Sequence, residues 1–132
     1  MPIERRISSG SPYERVVGFS RAVVAGGQVH VSATAPIMSD GGQPPAGAYG
    51  QTRRALEIVL AALHEAGASA AGVVRTRLYL TPAADAEGAC RAHAEVFADV
   101  RPATGVIVVS GFLDPRWLVE IEVDAVLPAA SV

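Results

Sequence analysis

The chain has 132 residues, half of them apolar, with one cysteine and a formal net charge of −2 at pH 7. This length predicts a single domain over residues 1–132 with a core of its own, and the composition is that of a globular protein. The small net charge, without a basic cluster, argues against nucleic acid and membranes as partners. The lone cysteine fits a reducing cytoplasm.

The first part of the chain predicts a short strand followed by a β-hairpin. Residues 2–7 favour the strand, and a loop rich in serine follows. Apolar segments at residues 19–25 and 28–35 flank Gly26 and Gly27, which tolerate the positive φ angles of a two-residue hairpin turn.

Two helices are predicted, and each lies between strands. Residues 48–66 carry an apolar stripe at helical spacing and end at Gly67, a suitable C-terminal cap. The stripe consists of Thr52, Leu56, Val59, Leu60 and Leu63. Residues 73–81 predict a strand and residues 85–100 a second helix, and two more strands close the chain. This order predicts an α+β fold with both helices packed on one face of a single sheet.

The last strand carries three acids on one side. Glu120, Glu122 and Asp124 alternate with apolar residues, so their carboxylates share the sheet face that no helix covers. The same face is expected to carry His30, Ser32, Arg75, Arg77 and Tyr79. Acids along one strand face are unfavourable unless water, cations or a partner surface meets them. The face either stays solvated or closes against symmetric copies of the chain, and we favour the copies.

Candidate nucleophiles and metal ligands form only a weak pattern. Cys90 and His93 are three residues apart on the second predicted helix and share a face. They fit either a Cys–His dyad or, as we favour, an inward stripe with Ala94 and Phe97. The other two histidines form no ligand pattern with each other or with the cysteine, so no metal site is expected.

The chain resembles the Rid (YjgF-like) family from about residue 9 to residue 126. The segments that carry the resemblance are Pro12-Tyr13, the strand end at residues 31–36, residues 66–69 before the Val-Val-Arg-Thr strand, and Pro102-Ala103 followed by Glu120-Ile121-Glu122. The resemblance implies one chorismate-mutase-like domain that assembles as a homotrimer, with the sheets around a central barrel. Small-molecule clefts would then lie between subunits.

Members of the deaminating branch hydrolyse reactive enamines and imines, such as 2-aminoacrylate, to ketoacids and ammonia without a metal or an organic cofactor. The resemblance therefore implies no cofactor here. At the position after Pro-Ala that branch carries an arginine, whereas this chain has Thr104. A guanidinium can clamp a carboxylate through two parallel hydrogen bonds, but threonine is short and uncharged. Activity on 2-imino acids is therefore expected to be weak or absent.

The resemblance also assigns candidate roles in the cleft. Glu120 would position water or relay protons, and an ion pair with Arg75 or Arg77 is the alternative for it. Tyr13 would close the mouth of the cleft, unless it only packs its own loop. Arg91 on the second helix is a candidate replacement cation, and the alternative is an ordinary exposed helix arginine.

Further candidates would hold the substrate. Ser32 and Ala33 match the polar rim of the family's cleft, although a serine at a strand end commonly bonds only its own backbone neighbours. Thr104 and the backbone around Ala33 and Gly105 would hold a substrate oxygen, and Val106 would add an apolar wall.

The sequence thus predicts cofactor-free hydrolysis (deamination) or tautomerisation of a small enamine- or imine-like metabolite. The alternative is a homotrimer that binds a small molecule or a partner protein without turnover.

Overall fold

The computed structural model describes residues 3–129 and contains one six-stranded sheet. Its strands are β1 (Ile3–Ile7), β2 (Ala22–Ala25), β3 (Gln28–Thr34), β4 (Val73–Leu80), β5 (Ala103–Val108) and β6 (Val119–Val126). The spatial order is β1-β2-β3-β6-β4-β5, with β4 and β5 parallel and the other neighbours antiparallel. The first predicted strand is confirmed from Ile3 onward, and Pro2 lies outside the described residues.

Two helices, α1 (Gly47–Glu65) and α2 (Ala86–Phe97), pack on the sheet and on each other, which confirms the α+β prediction. Of the predicted stripe of α1, Thr52, Leu56, Val59 and Leu63 are buried and Leu60 is partly buried, against the same core as the apolar side of β6. Gly67 ends α1 at a φ of 89°, and the next amide donates to the carbonyl of Leu63 at 2.8 Å, as in a left-handed helix cap. No helix within residues 3–129 is both long enough and apolar enough to cross a membrane.

The predicted hairpin between β2 and β3 is confirmed, with Gly26 and Gly27 at φ angles of 57° and 78°. A π-helical turn (Glu14–Gly18) precedes β2 and was not predicted, since its sequence has no helical apolar stripe. A 3₁₀ turn (Ala70–Gly72) leads into β4.

Two β-bulges change which side chains face the helices. Strict alternation along β4, with Arg75, Arg77 and Tyr79 on the open face, would place Val74 inward and Val73 outward, and the opposite is found. Val73 is buried and Val74 is 48% exposed, because the pairing of β4 with β6 shifts after Val73. In β3 a second shift brings Thr34 level with Ile121, so Thr34 is buried rather than on the open face.

The inward face of α2 differs from the predicted stripe. Cys90 and Ala94 are exposed, whereas Ala89, Ala92 and Phe97 are buried, so the expectation that Cys90 and Ala94 pack inward is wrong. The small side chains of Ala89 and Ala92 let this face of α2 pack closely against its neighbours. Cys90 follows Ala89 in the sequence and therefore points about 100° away around the helix axis. The dyad with His93 receives no support either, since the imidazole bonds to β4 instead.

The sheet face opposite the helices carries a network of charged and polar groups. Arg77 Nη1 donates to Glu122 at 3.3 Å and to Asp124 at 3.5 Å, His30 Nδ1 lies 2.7 Å from Asp124, and Tyr79 donates to Glu122. The hydrogen bond to Glu122, with burial, raises the pKa of the Tyr79 hydroxyl. Two of the three acids of β6 are thus met by groups of their own chain.

Gly72 provides a test of the close approach between the 3₁₀ turn and β6. A Cβ atom there would lie 2.5 Å from the carbonyl oxygen of Val126, and backbone on both sides leaves little room to relax. We expect Gly72→Ala to destabilise the protein by about 1–3 kcal/mol, measured by chemical denaturation. Gly111→Ala is the matched control, because nothing lies within 4 Å of its Cβ position. Equal stability of the two variants would contradict this account.

Candidate functional site

A cavity of about 160 Å³ opens where β3 ends, between the sheet, α1 and the segment that leads into β6. Most of its wall is apolar and comes from Val17, Phe19, Ile37, Ile58, Leu113 and Trp117. Three of the predicted site residues line it, namely Tyr13, Ala33 and Glu120. Arg21, which the sequence analysis did not single out, also lines it. The cavity therefore combines an apolar wall with one basic and one acidic side chain.

Arg21 is buried at the start of β2 and bonds to the bulged end of β3. Its Nη1 donates to Ser32 Oγ at 2.9 Å, to the carbonyl of Ala33 at 3.0 Å and to Thr34 Oγ1 at 2.9 Å. Its Nε donates to Ser9 Oγ at 3.1 Å. These bonds fix the guanidinium plane and hold the loop before β2 against β3.

The direct hydrogen-bond partners of Arg21 within residues 3–129 are all neutral. Burial lowers its pKa, and the nearest opposing charges, Glu14 and Glu120, act through space rather than in an ion pair. Glu14 accepts hydrogen bonds from the amide and hydroxyl of Ser9, the same hydroxyl that accepts from Arg21. Burial alone would raise the pKa of Glu14, and these hydrogen bonds lower it overall. A desolvated cation therefore borders the cavity without a carboxylate in contact.

Glu120 is the acid of β6 that the polar network leaves out. Within the described part of the chain its carboxylate has no hydrogen-bond or ion-pair partner. The predicted alternative, an ion pair with Arg75 or Arg77, is not formed, since Arg77 binds the other two acids. Burial raises the pKa of Glu120, and the charge of Arg21 offsets only part of that shift. A carboxyl in this state can exchange protons closer to neutral pH than an exposed one.

Tyr13 lies at the boundary between the cavity and a wider surface groove, since it lines both, together with Ile37, Ile58 and Trp117. Its ring meets Trp117 edge to face, with the centroids 5.7 Å apart. Tyr13 therefore packs against the segment that leads into β6 and borders the cavity, and its role in closing a cleft stays a prediction.

Ser32 and Ala33 lie on either side of this wall. Ala33 lines the cavity, whereas the Ser32 hydroxyl accepts from Arg21 and lies beside a groove on the open sheet face. The structure therefore gives Ser32 local hydrogen bonding, through which it orients Arg21.

Thr104, Gly105 and Val106 lie on β5, which is separated from β6 by β4. Thr104 is level with Thr76, whose side chain is buried toward the helices, and the two hydroxyl oxygens are 2.8 Å apart. Glu120 alternates to the opposite side of the sheet. Within one protomer, therefore, Thr104 does not meet the carboxyl of Glu120.

The Thr104 hydroxyl belongs to a small network of its own. Thr104 Oγ1 donates to the carbonyl of Pro102 at 3.0 Å, and Thr76 Oγ1 lies 2.8 Å from both Thr104 Oγ1 and His93 Nε2. Burial lowers the pKa of His93, which favours the neutral imidazole there. Arg91, on the exposed side of α2, stacks over Tyr49 with its guanidinium carbon 4.5 Å from the ring centre and does not line the cavity.

Arg21 is the functional candidate that the sequence analysis missed. The available signal was an arginine at the entry of an apolar hairpin strand, directly after Phe19 and Ser20. Its burial depends on the β3 bulge, which the alternating pattern does not reveal. Among residues 3–129, no group of three or more His, Cys, Asp or Glu side chains is arranged to hold a metal ion.

The fold and this cavity define a class of small α+β proteins with an apolar ligand pocket at the edge of a helix-covered sheet. Residues 11–127 match the family model described as Endoribonuclease L-PSP, and the chain belongs to that family, also called YjgF or Rid. Membership supports a role in the processing of small metabolites in general.

Several relatives are similar over nearly the whole chain. An uncharacterized protein of Streptomyces coelicolor, SCO2049, is 42% identical over 121 residues, which is 92% of this chain and 90% of the relative. The crystal structure of Rv2704 from Mycobacterium tuberculosis, a YjgF/YER057c/UK114 family member, superposes with a TM-score of 0.84 at 39% identity, covering 93% of this chain and 98% of that one. The Rid family protein YyfA from Yersinia pestis gives a TM-score of 0.76 at 29% identity, covering 83% and 87%.

The raised pKa of Glu120 predicts a pH-dependent effect on stability. The native state favours the protonated carboxyl more than the unfolded state does. The stabilisation that protonated Glu120 gives to the folded protein is therefore complete below the unfolded-state pKa of about 4.3. It is lost as the pH rises through the pKa of Glu120 in the native state. Glu120→Gln cannot ionise, so we expect it to be more stable than the parent protein at pH 7–8, with the difference shrinking toward pH 4. Thermal unfolding across this range measures the difference.

The control is Glu57→Gln, which removes one negative charge as Glu120→Gln does. The Glu57 carboxylate is exposed, so its removal does not relieve a desolvated charge. If Glu120→Gln is less stable than the parent protein at pH 8, the carboxylate must have a stabilising partner and the burial argument is wrong.

Proposed function

We propose that the protein is a homotrimer that hydrolyses (deaminates) or tautomerises a small enamine- or imine-like metabolite without a cofactor. In this proposal the Thr104 edge of one protomer approaches the Glu120 cavity of the next. This arrangement is supported by the placement of Thr104 and Glu120 on opposite sides of the sheet, with β4 between their strands. A cleft that uses both residues requires two protomers.

The observation that carries the proposal is the unpaired, half-buried carboxyl of Glu120 on the wall of a largely apolar cavity. As a base, the carboxylate takes a proton from water or from an acidic carbon. As an acid, the protonated form returns a proton to the β-carbon of an enamine, which converts it to an imine that water can attack. The raised pKa keeps both forms accessible near neutral pH. Tyr13 stands where it can order the mouth of the cleft.

The position of Thr104 supports a substrate other than a 2-imino acid. Its hydroxyl is engaged by Pro102 and Thr76, and it offers no charge to a carboxylate. Gly105 and Val106 continue this edge with backbone groups and an apolar side chain that is 47% exposed. Ser32 and Ala33 contribute through Arg21 and through the cavity wall. Arg91, turned toward Tyr49, would need to reach a neighbouring protomer's cleft to act as the cation.

The same engagement of Thr104 favours a second candidate, a trimer that binds a small metabolite without turnover. A cavity can retain a ligand with an apolar wall and fixed hydrogen-bond donors alone. Net charge and the absence of a basic cluster from the sequence keep nucleic acid unfavourable as a partner. Turnover distinguishes the two candidates.

The first test of this proposal is the assembly. The open sheet face, with its half-exposed Arg77, Glu122 and Asp124, is the surface we expect to close against copies of the chain. Light scattering should give three times the chain mass of 13.6 kDa. A monomer at micromolar concentration would remove the shared cleft from the proposal.

The second test is the substrate range. Loss of a buried charge pair costs about 2–5 kcal/mol, or roughly one and a half to three and a half decades in kcat/KM. We therefore expect 2-aminoacrylate, generated by a lyase and followed as ketoacid release, to be hydrolysed that much more slowly than by arginine-bearing relatives. Thr104→Arg should recover part of the rate.

The control is the double variant that carries Glu120→Gln together with Thr104→Arg. If Glu120 catalyses the recovered reaction, the second substitution should lower its turnover by about 10²–10⁴-fold. A parent protein as fast as the arginine-bearing relatives would refute the role given to Thr104. A well-folded Thr104→Arg trimer without any gain would favour the non-catalytic binder.

A further inference from the structure

Arg21 presents one unused nitrogen to the cavity. Its Nε and Nη1 make four hydrogen bonds to the chain, whereas Nη2 has no partner within residues 3–129. The side chain is only 5% exposed and lines the cavity. A guanidinium nitrogen without a partner, on a side chain that lines a cavity, is a strong hydrogen-bond donor that a ligand in the cavity can engage.

The geometry of the occupied nitrogens restricts what Arg21 can bind. A two-point carboxylate clamp uses a pair of neighbouring N–H groups on two nitrogens, either Nη1 with Nη2 or Nε with Nη2. Both pairs include a nitrogen that already bonds to Ser9, Ser32, Ala33 or Thr34. The two N–H groups of Nη2 sit on one nitrogen and point apart, so they provide no two-nitrogen clamp, and a single acceptor oxygen can bond to either of them.

Glu120 adds a second restriction. It lines the same cavity and interacts with Arg21 through space without an ion pair. A ligand with a permanent negative charge would meet this carboxylate in a poorly solvated site, where like charges repel strongly. A neutral carbonyl oxygen avoids that repulsion and still accepts a hydrogen bond from Nη2.

The volume sets the size of the ligand. An apolar cavity of about 150 Å³ in another protein is large enough for benzene, and the cavity here is about 160 Å³. Its walls, which include Phe19, Ile58 and Trp117, suit a compact hydrocarbon body of similar size.

We propose that this cavity binds neutral carbonyl compounds with a compact apolar body of about six carbons, with the carbonyl oxygen on Arg21 Nη2. Recognition of this class stands on the cavity alone, and the chemistry that follows rests on the function proposed above. In that chemistry the Glu120 carboxylate removes a proton from the carbon next to the carbonyl. The C–H electron pair forms a C=C bond, the carbonyl π pair moves to oxygen, and Arg21 stabilises the resulting enolate. Return of the proton from Glu120 to the enolate oxygen gives the enol.

Trp117 is the chain's single tryptophan and lines the cavity, so its fluorescence reports occupancy directly. The probes are cyclohexanone, cyclohexanecarboxylate and benzene, titrated against the full-length protein. We expect cyclohexanone to bind at least about tenfold more tightly than the carboxylate, because the ketone keeps a hydrogen bond from Nη2 and avoids the repulsion from Glu120. Carboxylate binding as tight as ketone binding would overturn the proposal.

Arg21→Lys tests the contact itself. The ammonium keeps the charge but lacks the planar fork that reaches four chain acceptors and the ligand together. Cyclohexanone affinity should fall about tenfold or more, while benzene affinity, which reports an intact cavity, stays unchanged. Arg15→Lys, at an exposed arginine nearby, should change neither. Unchanged ketone binding in Arg21→Lys contradicts the assignment.

Should Arg21→Lys fail to fold, carbonyl-labelled cyclohexanone decides the question with the parent protein. Its ¹³C carbonyl resonance should move to higher frequency on binding, and an unshifted resonance in the bound state overturns the proposal. Exchange of the α-protons in D₂O is measured in parallel. Ketone binding without exchange above the solvent rate leaves the recognition in place and counts only against the proposed catalytic function.

Discussion

The burial of the Arg21 guanidinium is the constraint on which the site depends. A cation removed from water is costly unless every donor finds an acceptor. For Nη1 the chain meets this demand by turning the end of β3 toward Arg21, so that the Ala33 carbonyl and the Thr34 hydroxyl both accept from it, whereas Nη2 is left without a partner in the described part of the chain. The same turn buries Thr34 and opens the cavity behind it. The bulge, the loop at Ser9 and the cavity are therefore consequences of one buried charge.

The three acids of β6 carry the same functional group, but their positions along the strand give them different surroundings. Glu122 and Asp124 have Arg77, Tyr79 and His30 across from them, and these side chains contact both carboxylates on the open face. Glu120, nearer the start of the strand, lies past that network and next to the cavity, where burial raises its pKa. The acidic face was expected to need water, cations or a partner surface. For Glu122 and Asp124, side chains of the same chain fill that role.

Local pattern predicted most of the fold, and long-range register explains what it missed. The Gly26-Gly27 turn and the stripe of α1 depend on neighbours in sequence, and both are confirmed. The reversal at Val73 and Val74 depends on how β4 pairs with β6, which strand alternation does not encode. For the site, resemblance suggested Tyr13, Ala33 and Glu120, which line one cavity. Arg21 remained hidden because its partners come from a bulge.

Thr104 and Arg21 differ in what they leave free for a ligand. On β5 the hydroxyl is tied to Pro102, Thr76 and, through Thr76, to His93, so this edge satisfies itself and has little left for a charged ligand. The protein keeps a cation at the cavity, but inside the protomer and with its fork already occupied. In the function proposed above, a one-point donor in the cavity wall takes the place of a two-point clamp at the rim. Such a donor stabilises charge that develops on a single oxygen during a reaction more than charge that a ligand brings with it. This favours a neutral substrate, or a ligand that never ionises.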